Sequence, residues 1–201
     1  SMPYILLSGD VIIWPIIIFS IISLAIVVEK IWNLARDIVL PRNLTRNIIS
    51  QLEKKSLSSQ MKEKMSKDSV QGVIFSSLLD EEHKTKQILR LRAEEIGRFE
   101  INRLEKYLTL LGTIASISPI LGLLGTVTGM ISVFSNLMES GNNAIAPLAG
   151  GIAEALVTTA AGLIVAIPSL IFYRSFHRTI ENYALELEEE SNKLINYISK
   201  N

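Results

Sequence analysis

Glu154 is the only charged residue between Ser140 and Tyr173, and two hydroxyls, Thr158 and Thr159, follow it one helical turn later. A third, Thr126, lies in another uncharged run, Tyr107–Met138. An ionised carboxyl in the middle of a bilayer costs about 2.5–3.5 kcal/mol on insertion scales. No lysine or arginine occurs between Lys106 and Arg174 to offset it. Three options are open to the carboxyl: to hold its proton, to bond hydroxyls such as Thr126, Thr158 or Thr159, or to face a water-filled cavity. Ionisable residues inside membrane spans mark ion or proton paths, so Glu154, Thr126, Thr158 and Thr159 are candidate path residues. A structural alternative places Glu154 near the outer interface, since seven residues past Pro147 is roughly 10 Å of helix rise. On an ideal wheel Thr158 lies about 40° from Glu154 and Thr159 about 140° away.

Other chemistry is poorly supplied. The chain has no cysteine, which removes disulfides, thiolate catalysis and cysteine metal sites. His83 and His177 stand alone among charged residues, whereas a metal site needs clustered ligands. No nucleophile–base pair or cofactor fingerprint is present, so neither an enzyme nor a bound metal or cofactor is expected. In the loop the basic residues alternate with acids, which argues against nucleic-acid binding.

The elements that must position these residues are membrane helices. Charged residues are absent from Val11–Val28 and, apart from Glu154, from the two runs above, and about 20 apolar residues span the hydrocarbon core. Span one is expected at about 9–33, with Trp14 and Trp32 as interfacial anchors and Ile5–Leu7 able to lengthen it. No basic stretch precedes it and Glu29, Lys30 and Trp32 follow it, so it reads as a retained anchor rather than a signal peptide. In span two Gly122, Gly125 and Gly129, with Ser118, Thr126 and Ser132, form a small-residue surface around Pro119. In span three Gly151 and Gly162 do the same. Small residues let membrane helices approach closely where lipid offers no hydrophobic drive.

Fifteen lysines and arginines lie between Arg36 and Lys106 and four follow Tyr173, with none before Lys30. The positive-inside rule then predicts six parts. Residues 1–35 are the outer N-terminal end and span one; 36–106 a cytoplasmic helical loop; 107–138 span two. An outer turn covers 139–147, span three 148–174, and a cytoplasmic C-terminal helix 175–201. Within the loop, Pro41 is expected to start a helix with Leu44, Ile48 and Leu52 on one face. "SLSSQMKEKMSKDS" reads as a loop, "VQGVIFSSLL" as a short apolar helix, and "DEEH" (80–83) as the acidic start of the next helix. That helix should run unbroken from about 81 to 137, roughly 85 Å. Ile180, Ala184, Leu187, Ser191, Leu194 and Ile198 predict that span three also continues as a helix, packed on the extension of span two. The fold class is an all-α integral membrane protein.

"YLTLLGTIASISPILGLLGTVTGMI" and "APLAGGIAEALVTTAAGLIVAIPSLIFY" resemble the second and third spans of the MotA/TolQ/ExbB proton-channel family. Three spans with a large loop after the first resemble the ExbB/TolQ branch rather than four-span MotA. The resemblance implies a homopentamer around a central pore, multi-pass in a bacterial inner membrane, its N-terminus periplasmic and its C-terminus cytoplasmic. It implies an ExbD- or TolR-like single-span partner carrying the proton-binding aspartate, and a TonB- or TolA-like protein spanning the periplasm. Thr126 and Thr159 match the family's pore-facing threonines and Glu154 its glutamate, with Thr158 ranked below Thr159. The expected function is an ExbB-like proton-channel subunit energising TonB-dependent import. The alternatives are a TolQ-like envelope-maintenance subunit, or a membrane scaffold with no ion path of its own.

Overall fold

The computed structural model describes residues 9–81, 84–141 and 145–199. His83, Ile5–Leu7 and part of the expected outer turn lie outside the described residues. Among the described residues the chain is all-α, without a strand. Its helices are α1 Gly9–Asn33, α2 Arg36–Val39, α3 Leu44–Glu53 and α4 Ser59–Asp68. They continue as α5 Val70–Asp80, α6 Lys86–Leu104, α7 Leu108–Ser140 and α8 Ile145–Ile198. The stretches of α1, α7 and α8 that are long and apolar enough to cross a membrane number three. Two compact units result, one joining the chain up to Val28 with Tyr107–Ser175, the other joining Glu29–Lys106 with the segment from Phe176 onward.

The first unit is packed inside out relative to a soluble domain. Ser23, Ala115, Ser118, Ala155, Thr158, Ala166 and Ser169 are buried, while Ile21, Leu24, Leu123, Val127, Phe134, Leu156, Ile164 and Ile171 are exposed. Ile16, Leu111 and Ile114 are buried with the small residues; many large apolar side chains outside and small ones at the contacts suit helices surrounded by lipid tails, where close packing supplies the cohesion. Ser23 and Ser169 share a 2.6 Å hydrogen bond that ties α1 to α8. Ser169 also donates to Val165 O.

The second unit has the opposite, water-soluble plan. Leu34, Val39, Leu40, Ile48, Ile74, Phe75, Leu78, Leu89, Leu187 and Leu194 form its core, and ion pairs such as Arg98–Glu94 and Lys67–Glu63 lie on its surface. The 56–69 segment, expected as a loop, instead carries α4. Ser58 caps its N-terminus by accepting from Met61 N, Ser69 caps α5 in the same way, and Met65 is buried. A side chain on Gly72 would lie 1.9 Å from Met65 O. That close approach, unreadable from a segment with so little periodicity, is what lets α4 lie against α5. α5 itself falls on the expected short apolar helix. α3 starts at Leu44 after Asn43, which adopts a left-handed conformation (φ 65°), rather than at Pro41. The start expected at 80–83 is moved to Lys86, where Thr85 supplies the cap, and Asp80 closes α5.

The continuous helix expected from about 81 to 137 is interrupted. α6 ends at Leu104, Tyr107 takes φ 69°, and α7 starts at Leu108. Lys30, only 1% exposed, donates from Nζ to Leu104 O at 2.7 Å and lies 3.3 Å from Glu29. A lysine ammonium at the last carbonyls of a helix satisfies an acceptor the helix cannot and complements its dipole. The break is a shaped junction. Beyond it, α8 continues unbroken to Ile198, with Ile180, Leu187, Ser191, Leu194 and Ile198 buried and Ala184 half-buried. Its tail is fastened to the α2–α3 side by Tyr183 Oη donating to Leu34 O and by an Arg36–Glu186 pair at 2.9 Å. Burial pushes the Tyr183 hydroxyl up, and the bond to Glu186 raises Arg36. The tail and α6 both line a cavity of about 570 Å³, between Ala93, Gly97 and Ile101 on one side and Ala184, Leu187 and Ser191 on the other.

Candidate functional site

The hydroxyls singled out in the sequence meet where α7 crosses α8. Gly122, Gly125 and Gly129 remove side chains along one stripe of α7, so α8 can approach its backbone. A Cβ on Gly122 would lie 3.1 Å from Thr159 Cα, and one on Gly129 would lie 2.8 Å from Ala155 Cβ. The reverse holds on α8: a Cβ on Gly162 would meet Ser118 O at 2.4 Å, and one on Gly151 would meet Val133 Cγ2 at 2.3 Å. Pro119 is half-buried inside α7, which continues through it.

In that contact Thr126 and Thr159 bond each other through their hydroxyls. Thr126 Oγ1 also reaches Ala155 O at 3.1 Å and Gly122 O at 3.3 Å, and Thr159 Oγ1 donates to Gly122 O at 3.1 Å. Two hydroxyls hold two hydrogens, and these contacts offer more acceptors than that. The hydrogens therefore have alternative settings without any movement of heavy atoms. A pair of hydroxyls bridging two backbone carbonyls inside an apolar interface can pass orientation, and with water a proton, between helices.

Thr158 is placed differently. It is buried, donates to the backbone Glu154 O at 3.3 Å, and presses its methyl toward Gly125, where a Cβ would lie 2.1 Å away. Both threonines thus face α7, because its glycine stripe is flat enough to take two adjacent residues. Glu154 and Thr159, about 140° apart on an ideal wheel, are divided between the exposed side of α8 and the side that meets α7. Glu154 is exposed, on the outer side of the turn that buries Ala155. The structure brings Thr126, Thr159 and Thr158 together at one helix contact and leaves the Glu154 residue at its margin.

Two buried hydroxyls escaped the sequence reading as site residues. Ser23 and Ser169 bond one another, and their only signal is a serine inside an apolar run. Ser118 had been grouped with the packing surface; its hydroxyl is buried with no hydrogen-bond partner. Among the described residues no group of three or more His, Cys, Asp or Glu could hold a metal ion, and His177 lies 3.3 Å from Glu181.

Residues 45–189, which contain this contact and all of α7, match the model of the MotA/TolQ/ExbB proton channel family. The chain belongs to that family. An ExbB-like protein of Synechocystis sp. is 32% identical over 171 residues, 84% of this chain and 67% of that protein. The biopolymer transport protein ExbB of Salmonella typhimurium is 40% identical over 99 residues, 49% of this chain and 39% of that protein. That of Neisseria gonorrhoeae is 37% identical over 108 residues, 54% of this chain and 47% of that protein. Membership makes the three apolar stretches membrane helices of a proton-channel-family protein. Thr126 and Thr159 both lie within the matched residues.

Proposed function

We propose that the chain is an ExbB-like proton-channel subunit of an inner-membrane energiser. In this reading it assembles as a homopentamer around a pore. An ExbD-like single-span partner occupies the pore, and proton flow drives work on a TonB-like protein that spans the periplasm. Residues 36–106 and 175–201 are cytoplasmic and the N-terminus is periplasmic. The observation that supports this best is the Thr126–Thr159 hydroxyl pair, set in a glycine-walled contact between two apolar helices. A purely structural contact gains nothing from alternative hydrogen settings, whereas a path for protons needs groups that can reorient. Glu154, on the exposed margin, would tune the polarity next to that pair, with the proton-carrying acid on the partner.

A scaffold reading draws on one specific fact: both threonine hydroxyls have backbone acceptors within the chain. TolQ-like envelope maintenance differs in partner rather than in site. Thr126→Val and Thr159→Val test the channel reading, measured as proton-dependent work of the reconstituted complex alongside its intact mass. Loss of work with an unchanged assembly is expected; full activity in both variants refutes the path. Glu154→Gln adds a second axis, since a scaffold tolerates it and a path that needs a titrating Glu154 does not.

A further inference from the structure

A cavity of about 310 Å³ lies in the second unit, beside the start of α3. Arg36, Arg42, Arg46 and Lys193 line it, against one lining carboxylate, Glu190. Glu186 answers Arg36 at 2.9 Å, and Glu190 answers Lys193 at 2.9 Å. Among the described residues no carboxylate is within ion-pair distance of Arg42 or Arg46.

The start of α3 adds to this positive field. Asn43 makes no side-chain cap, and the first helical bond runs from Asn47 N to Asn43 O. The amides of the first turn, from Leu44 to Arg46, are the donors a helix leaves open, and these residues line the cavity. Such an N-terminus favours anions.

Two buried polar atoms on lining residues have no partner: Arg36 Nε, a donor, and Gln71 Oε1, an acceptor. Gln71 is only 1% exposed. Its Nε2 donates to Thr45 Oγ1 at 3.0 Å, and Thr45 spends its own hydrogen on Glu190. That chain sets the amide's orientation and leaves Oε1 as the unsatisfied group. Buried polar atoms without partners are rare and ask for a water, an ion or a ligand.

We propose that this cavity binds a small phosphate ester that carries a hydroxyl or amino group. The phosphate answers Arg42, Arg46, Arg36 Nε and the α3 amides; the ester's O–H or N–H donates to Gln71 Oε1. Water alone would satisfy Gln71 Oε1 but bring no negative charge to Arg42, Arg46 and the α3 terminus, which together favour an anion. The volume sits at the small end of ligand sites, which suits a headgroup-sized ester better than a dinucleotide. A soluble phosphate ester and a lipid headgroup share this chemistry. The site does not depend on the channel reading.

The test uses the full chain in detergent and in lipid nanodiscs. Glycerol 3-phosphate and inorganic phosphate are titrated calorimetrically, and native mass spectrometry follows phosphatidylglycerol retained from phosphatidylcholine discs with and without it. Saturable glycerol 3-phosphate binding, tighter than inorganic phosphate, identifies a soluble ester; selective retention of phosphatidylglycerol identifies a headgroup. Arg42→Gln/Arg46→Gln, both exposed positions, should weaken whichever binding occurs by about tenfold or more. Lys86→Gln/Arg90→Gln, exposed cations outside the cavity, should change it less than about twofold. Absence of binding in both arms, equal loss in the two double variants, or inorganic phosphate binding as tightly as the ester overturns the proposal.

Discussion

Lys30 Nζ lies 2.7 Å from the carbonyl oxygen of Leu104, the last residue of α6, and so answers an acceptor at that helix's end. The ammonium is buried, so it is an expensive donor to place there. It is matched by an acceptor that has no helical partner beyond the break. Replacing it with methionine keeps the stem and removes the donor. Lys30→Met should destabilise the second unit by about 1–3 kcal/mol, the cost of leaving a buried acceptor unsatisfied. Amide hydrogen exchange at residues 105–108 should accelerate more than exchange in α5; uniform acceleration would mean a general loss of packing instead.

Thr126 and Thr159 act as one unit, so their variants should not add. Each valine removes a hydroxyl from the same small network, and interhelical hydrogen bonds in membranes are worth about 0.6–2 kcal/mol. The Thr126→Val/Thr159→Val double variant should cost clearly less stability than the sum of the singles. Thr126→Ser, which keeps the hydroxyl, should retain proton-dependent work that Thr126→Val loses.

The glycine contacts separate backbone from side-chain neighbours. At Gly162 a Cβ meets backbone, Ser118 O at 2.4 Å, which cannot swing away. Gly162→Ala should therefore cost about 1–3 kcal/mol by overpacking and lower the yield of folded protein. Gly150→Ala is the internal control, because nothing lies within 4 Å of the added carbon. Thermal unfolding of both variants in detergent compares them directly.

Acid should loosen the second unit through Glu190. Burial pushes its carboxyl up, and hydrogen bonds from Thr45 and Lys193, with the charges of Lys193 and Arg36, outweigh that and hold it below its ordinary value of 4.5. A carboxyl lowered in the folded state contributes stability that is present above the unfolded value and lost as pH falls through the folded one. The melting midpoint should therefore drop as pH is lowered below about 4.5. Glu190→Gln should be less stable than the wild type at pH 7, and the gap should narrow toward pH 3.

Composition and spacing carried the outline of this protein. Runs at 11–28, 107–138 and 140–173, uncharged apart from Glu154, are long enough to be membrane helices whatever they pack against, because lipid selects on length and polarity alone. The glycine and hydroxyl stripe around Thr126 was legible for the same reason: small and polar side chains in such a run have few other uses. What remained hidden depends on partners distant in sequence. That Thr158 and Thr159 both face α7 follows from the bare Gly122–Gly125 surface, not from a wheel drawn on α8. The α6–α7 break has no proline or glycine to announce it, and the last carbonyl of α6 is answered by Lys30, 74 residues earlier. The helix at Ser59–Asp68 has almost no apolar face of its own, and it forms where Gly72 lets α5 come against Met65. Local chemistry marks which segments enter the membrane, while the turns, breaks and hydroxyl pairings are set by contacts that exist only once the helices have met.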